Sequence, residues 1–340
     1  NNFSGVVESI GDTVIISNSG HMQNNQGIIL SGGTLDVTIH GTIINPEGHI
    51  ESKKDLNLLS QIGSLDNTQG NIISHAEANV KTANNIINSK NGRIQSSGDS
   101  RITSEFGSLK NDDGIILSRG ELQVKTAGEV DNKEGHIESI KALNIESSTN
   151  TLDNTSGKVI SGDTATLTEA LDITNQNKGL LRSASDLKIK SIYGVIDNTK
   201  GNILSAGTLD LTGQGDIKNI EGNVGSKKDL HIISATGGLD NRKGNIISKA
   251  ASNIEVALDV TNKDGGKIES GGTSVIKSSS GVLYNAEGTI LSGDNLDITV
   301  EGAVNNPKGH IESKKSLKIL SQTGGLDSKE GEIVAGENAS

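Results

Sequence analysis

The 340-residue chain has no cysteine and no tryptophan, and only one methionine, two prolines, two tyrosines and two phenylalanines. Without cysteine there are no disulfides, no Cys-ligated zinc and no thiol catalysis. The compartment stays open, since secreted chains also lack it. Aromatics that each bury about 150–250 Å² usually dominate large cores; four of them cannot build one. Positive charge is also short, with 31 Lys+Arg against 42 Asp+Glu and a net charge of −11. So acidic and ring-poor a chain offers neither the basic stripe nor the stacking platforms of a nucleic-acid binder. No apolar run approaches the roughly 18 residues of a membrane span, so the chain is not expected to span a membrane. No signal peptide stands at the start, which fits a mature fragment or a cytosolic chain.

Glycine, by contrast, is abundant at 43 residues, and Ile, Leu and Val recur at a fixed rhythm that argues against disorder. The string Gly-His-Ile-Glu-Ser occurs at Gly48–Ser52, Gly135–Ser139 and Gly309–Ser313, and Gly222–Ser226 fills the missing slot; neighbouring slots are 87 residues apart. The chain is therefore nearly four copies of one unit, at 1–87, 88–174, 175–261 and 262–340. Each copy divides into four shorter repeats of 21–23 residues with the core Gly-x-aliphatic-x-Ser, as at Gly27, Gly48, Gly70 and Gly92. Asn precedes the Gly by three or four residues in every repeat except the last, where Ser328 stands instead. Further aliphatic columns follow ten residues after the Gly (Val37, Leu58, Val80) and sixteen or seventeen after it (Ile43, Leu65, Ile87).

Alternation with period two marks short half-buried strands. Each carries too few inward aliphatics for a helix face or a free-standing hairpin. Gly, Asn, Asp and Ser punctuate them and are expected to supply positive φ at the corners. One architecture reconciles these features. Every repeat makes one coil of an all-β solenoid, equivalent strands pair in parallel between coils, and the aliphatic columns stack into a narrow core. About 16 coils, the last incomplete, are expected to form a single continuous domain over 1–340. At a rise of roughly 4.7–4.9 Å per coil this would be a rod about 75 Å long. Rings would overpack so narrow a core, which accounts for the missing aromatics.

The Asn column, including Asn45, Asn67, Asn132, Asn154, Asn198 and Asn241, is expected to form a hydrogen-bonded amide ladder, the alternative being a polar binding line. The ladder is favoured because the column runs through the whole chain, whereas a binding site is local. The Ser column (Ser52, Ser74, Ser139) is expected to bond backbone at a corner.

Tandem Asn-x-x-Gly-x-Ile-x-Ser-x-x-x-Leu-x-Ile units, as in Asn45–Leu58 and Asn306–Ile319, resemble the shaft repeats of filamentous haemagglutinin and of contact-dependent inhibition (CdiA-type) exoproteins of two-partner secretion. The resemblance covers essentially the whole chain. It implies a right-handed parallel β-helix that is part of a longer chain, secreted to the bacterial cell surface. It also implies an outer-membrane (TpsB-type) transporter as partner during export, and a virulence-associated adhesin or toxin-delivery filament whose distal regions contact host or target cells. No adhesive or toxin region is recognised within these residues.

A search for chemistry favours the same reading. Acidic residues such as Asp66, Asp131, Asp153, Asp197, Asp240 and Asp327 sit just before the corner Asn or its substitute and repeat with it, which suits turn formation better than a local acid–base pair. The Gly-Gly pairs never continue into calcium-binding nonapeptides, the seven His do not cluster in sequence, and no P-loop, dinucleotide fingerprint or His-Glu-x-x-His occurs. No catalytic, metal or cofactor residue is assigned, and the chain is expected to be non-enzymatic. The alternatives are a carbohydrate-active β-helix enzyme or a glycan-binding adhesive surface. One exposed feature is a candidate lateral contact strip. The position three after the repeat Gly is aliphatic at every second coil, at Leu30, Ile73, Leu117, Ile160, Leu204, Ile247 and Leu291. Lysine pairs such as Lys53-Lys54 read as solvated or edge charge that discourages mispairing.

Overall fold

The computed structural model describes all 340 residues. The chain is an all-β solenoid without helices, so no helix is long and apolar enough to cross a membrane. It comprises two compact units, Asn1–Ala170 and Leu171–Ser340, each built on the same plan of about 22 residues per turn. One coil in the first unit illustrates it. Strand His49–Ser52 joins a first sheet, Leu56–Ser60 a second and Leu65–Asp66 a third. Each pairs in parallel with its counterparts one coil away on either side, with no slip: Ile50 with Ile29 and Ile72, Leu58 with Val37 and Val80, Leu65 with Ile43 and Ile86. The second unit repeats this, as in Ile246 with Val224 and Ile268.

The registration follows from what each coil must bury. Ile50, Leu56, Leu58 and Leu65 point inward and are at most 2% exposed. A slip of one residue would turn all of a strand's inward side chains outward. None of the four aromatics joins this core. Phe3, Phe106 and Tyr193 are exposed, and Tyr284 lies on the outer surface with the Lys263 ammonium 5.8 Å from its ring.

Two or three polar groups in most coils also point inward, at the corners: in this coil Ser52, Ser60 and Asn67, at most 1% exposed. Buried polar groups are tolerated only when hydrogen-bonded, and here neighbouring coils supply the partners. The Asn67 amide donates to Asn88 Oδ1 at 2.8 Å, to the Gly70 carbonyl at 3.0 Å and to the Arg93 carbonyl at 3.1 Å, and its own Oδ1 accepts from Asn45 at 2.8 Å. The ladder runs from Asn2 to Asn154 in the first unit and from Asn175 to Asn306 in the second, where Ser328 accepts the last link at 3.1 Å. The Ser column also serves backbone. Ser74 Oγ lies 2.9 Å from the Lys54 carbonyl of the preceding coil and 2.7 Å from the Glu77 carbonyl of its own.

The corner corrects the expected role of glycine. The repeat glycines do not have positive φ. The left-handed residue is the one before, and it is commonly long and charged: Glu47 (56°), Glu134 (55°), Lys200 (58°), Lys308 (55°). Once per 87 residues the corner holds one more residue, and two consecutive positions become left-handed, as at Lys90 and Asn91. Glycine is required for space. A Cβ on Gly135 would lie 2.1 Å from the Asn111 carbonyl oxygen and 2.6 Å from Asn132 Oδ1. The Gly column exists because the Asn ladder and its backbone press against it.

These two neighbours therefore respond oppositely. Gly135→Ala is expected to lower stability by about 3 kcal/mol or more, because rigid backbone blocks the added atom. Glu134→Gly, which relieves a left-handed residue, is expected to raise it by about 0.5–1 kcal/mol. Urea unfolding of both variants checks this; a left-handed glycine would give the reverse order.

Candidate functional surface

Because strand side chains alternate, residues one and three after the repeat Gly face outward from the first sheet. The column three after the Gly reads Glu8, Leu30, Glu51, Ile73, Gln95, Leu117, Glu138, Ile160 in the first unit, each in register with the next. In the second it reads Arg182, Leu204, Gly225, Ile247, Glu269, Leu291, Glu312, Val334. The strip aliphatics thus lie on an outward face at every second coil. Most are half-buried, flanked by the polar residues between them, and Leu204 is 36% exposed.

Those polar residues are paired locally. Glu51 binds Lys53, His49 at 2.8 Å and His75 at 2.8 Å. The Lys53 bond foremost, helped by the two histidines, lowers its carboxyl to about 2. Sequence spacing missed this convergence, because His49 and His75 are 26 residues apart and become neighbours only when the coils stack. The pairs His136–Glu138 (2.6 Å) and His310–Glu312 (2.9 Å) repeat part of it, and the hydrogen bonds that His310 donates to the Glu312 and Glu332 carboxylates raise its pKa. In the fourth equivalent slot the pair is Asn223 and Gly225.

That substitution opens a hollow. Around Gly225 lies a depression of about 450 Å³ lined by Leu204 and Ile247, with Arg182, Lys227 and Lys249 at its rim. The equivalent depression in the first unit, around Glu138, holds about 200 Å³ and is lined by Glu138 and Ile140 among others.

A second concavity lies wholly within the first unit. A groove of about 610 Å³ runs where the first sheet turns into the second. One wall carries Asp55, Glu77, Asp99 and Glu121 from four successive coils, and the floor carries Asn57, Asn79, Arg101, Gln123 and Asn144. Asp99 Oδ1 accepts the Glu121 N–H at 2.8 Å, and Arg101 donates to Gln123 at 2.9 Å. These acids lie on a different column from those singled out by sequence. The latter cap turns, as where Asp66 accepts the Thr68 N–H at 3.0 Å, or bind a shared cation, as where Lys133 bridges Asp131 (3.3 Å) and Asp153 (3.2 Å). The chain has no group of three or more His, Asp or Glu side chains placed to hold a metal ion.

One buried group breaks the pattern. At the end of the second-sheet strands most coils place Ser or Thr, whose hydroxyl bonds a carbonyl; Ser147 Oγ, for example, lies 2.7 Å from the Gly128 oxygen. Glu169 occupies this position beside Ser147 and is fully buried, and its carboxyl oxygens find no well-aligned hydrogen-bond donor, only the weak reach of the Ser147 N–H and hydroxyl. Burial pushes its pKa well above the ordinary carboxylate value, nearby Glu146 adds to the effect, and Ser147 offsets it only in part.

Compared with known proteins, the chain matches no family model, no curated protein and no solved structure.

Glu169 makes stability depend on pH. Its folded pKa lies above its unfolded one, so stability is greatest below the ordinary carboxylate range and falls as pH rises through the folded value. Glu169→Thr, which restores the residue type at equivalent Thr82, is expected to remove that loss and stabilise the chain at pH 7 by about 2 kcal/mol. Unfolding curves from pH 4 to pH 8 check this; parallel pH profiles for the two proteins would contradict it.

Proposed function

We propose that this chain is a non-catalytic structural shaft, a repeat segment of a filament secreted to the bacterial cell surface that projects a distal functional region. The observation that carries the reading is the constancy of the buried plan. Ile/Leu/Val columns, the Asn ladder and the Ser bonds recur coil after coil in both units. Their demands concern stacking alone. The likeness of the repeats to those of filamentous haemagglutinin and CdiA-type exoproteins supports the same reading. On it, a TpsB-type outer-membrane transporter handles the chain during export, and coil-by-coil folding outside the cell helps retain what has passed. The absence of cysteine suits threading of an unfolded chain.

A second reading, an adhesive surface that contacts glycans, is favoured by the first unit's groove, whose amides, carboxylates and arginine offer donors and acceptors at each coil.

Removal of one whole repeat block tests the spacer. Deletion of residues 88–174 rejoins equivalent positions, and the shortened chain is expected to keep the β circular-dichroism spectrum and cooperative unfolding. Incubation of the intact chain with a panel of polysaccharides is expected to release no reducing ends. Sustained turnover of any of them would replace the shaft reading with the carbohydrate-active enzyme.

A further inference from the structure

The outward column of the second unit is self-complementary when read against its own reverse, and the equivalent column of the first unit is not. Consider two copies laid face to face on their first sheets, with stacking directions opposed and a two-fold axis at Ile247. Ile247 then meets Ile247 of the partner subunit. One coil away Gly225 faces Glu269 of the partner subunit. Two coils away Leu204 faces Leu291 of the partner subunit, and three coils away Arg182 faces Glu312 of the partner subunit. Every pairing recurs on the other side of the axis, as a closed isologous contact requires.

Each pairing suits its chemistry. The aliphatics meet aliphatics. The Gly225 hollow, with exposed Lys227 and Lys249 at its rim, has room and positive charge for a carboxylate side chain. Arg182 is exposed and has no side-chain partner in its own chain among the ion pairs, while Glu312 is half-buried beside His310. In the neighbouring outward column, one residue after the Gly, Asn245 meets its own copy, and Asn223 meets Lys267, Asn202 meets Thr289 and Leu180 meets His310 of the partner subunit, with no like charges opposed.

The first unit serves as the internal control. The same operation about Ile73 places Leu30 on Leu117 but Glu8 on Glu138, acid against acid, and Glu51 against Gln95 with no glycine to make room. In-register packing with parallel stacking fails in the second unit too, since it sets Arg182, Glu269 and Glu312 each against itself. Two of the residues in which the second unit differs, Arg182 and Gly225, replace Gln95 and Glu138 at equivalent positions of the preceding block. They reverse the local charge and open the space that the antiparallel contact needs.

We propose that the first-sheet face of the second unit is a homotypic docking surface through which two copies of this chain associate side by side and antiparallel about Ile247. A strip one or two columns wide is at the low end of specific interface sizes, so the association is weak for free chains and gains strength where chains are held close together. It goes beyond the spacer reading and does not depend on it, since it needs only the fold and the identity of these residues.

The cysteine-free sequence makes the test direct. Ile247→Cys is expected to yield a covalent dimer with a short bis-maleimide, because the axis brings each thiol to its own copy, whereas Ile73→Cys in the first unit is expected to stay uncross-linked, its thiols lying away from the axis. Adding Arg182→Glu to the Ile247→Cys chain is expected to abolish its cross-linking, and further adding Glu312→Arg to restore it. Circular dichroism of each variant reports that the coil is intact. Equal cross-linking at positions 73 and 247, failure of the double reversal to rescue, or a wild-type chain monomeric in sedimentation equilibrium at its highest soluble concentration would each overturn the proposal.

Discussion

The amide of one buried asparagine per coil constrains everything around it. Its N–H groups and oxygen lie where water cannot reach, so partners must come from the protein. A single coil has few to offer: the glycine carbonyl three or four residues on. The remaining bonds come from the coils before and after, as Asn45 and Asn88 serve Asn67. A coil without neighbours would leave amide, hydroxyls and aliphatics unsatisfied together, which makes stacking obligatory. Other features follow from the same contact. Glycine is required where the next turn of backbone presses on the ladder, a left-handed residue is accepted beside it to complete the corner, and strand register is held by polar as well as apolar demands.

Much of this was legible in the sequence because the interactions repeat. The Gly-x-Ile-x-Ser core, the Asn three or four residues before it and the aliphatics ten and about seventeen after it are positions on one coil, and sixteen occurrences of the repeat glycine expose them without structure. The exception is that of adjacent Ile86 and Ile87 it is Ile86, not the expected Ile87, that pairs with Leu65 and is buried. The strip from Leu30 to Leu291 was legible for the same reason: period two within a strand fixes which face a residue occupies. What escaped falls into two kinds. Contacts between coils join residues about 22 apart, so the meeting of His49 and His75 on Glu51, or the wall of Asp55, Glu77, Asp99 and Glu121, emerges only on stacking. Conformation escaped as well. Glycine suggested positive φ at the corner, yet that angle belongs to Glu134 and its equivalents, because steric room and backbone conformation are separate reasons for a glycine and composition does not distinguish them.

The near-identity of the blocks gives each position internal comparisons. Where copies agree, as along the Asn and Ser columns up to Ser328 and Ala335 of the last repeat, the cause is the stacking itself. Where one departs, the cause is local. Glu169 stands where Thr82 stands one block earlier, and Gly225 where Glu51, Glu138 and Glu312 stand in the others. One departure buries a carboxyl where a hydroxyl would bond a carbonyl; the other leaves a basic-rimmed hollow in an otherwise acidic chain. The division follows from the coil: the inward positions are committed to holding coils together, and the outward ones are free to vary.

The central claim is that the buried amides, as donors, lock coil to coil. Thermal unfolding of Asn132→Asp at pH 7 tests it most directly. The isosteric carboxylate can still accept from Asn111 but offers no donor to Asn154 Oδ1 and the Gly135 carbonyl, which Asn132 now serves at 2.7 and 3.3 Å. The account predicts a loss of about 3 kcal/mol or more, against a change of about 0.5 kcal/mol or less for the same replacement at exposed Asn79. Equal, small effects at the two positions would contradict it.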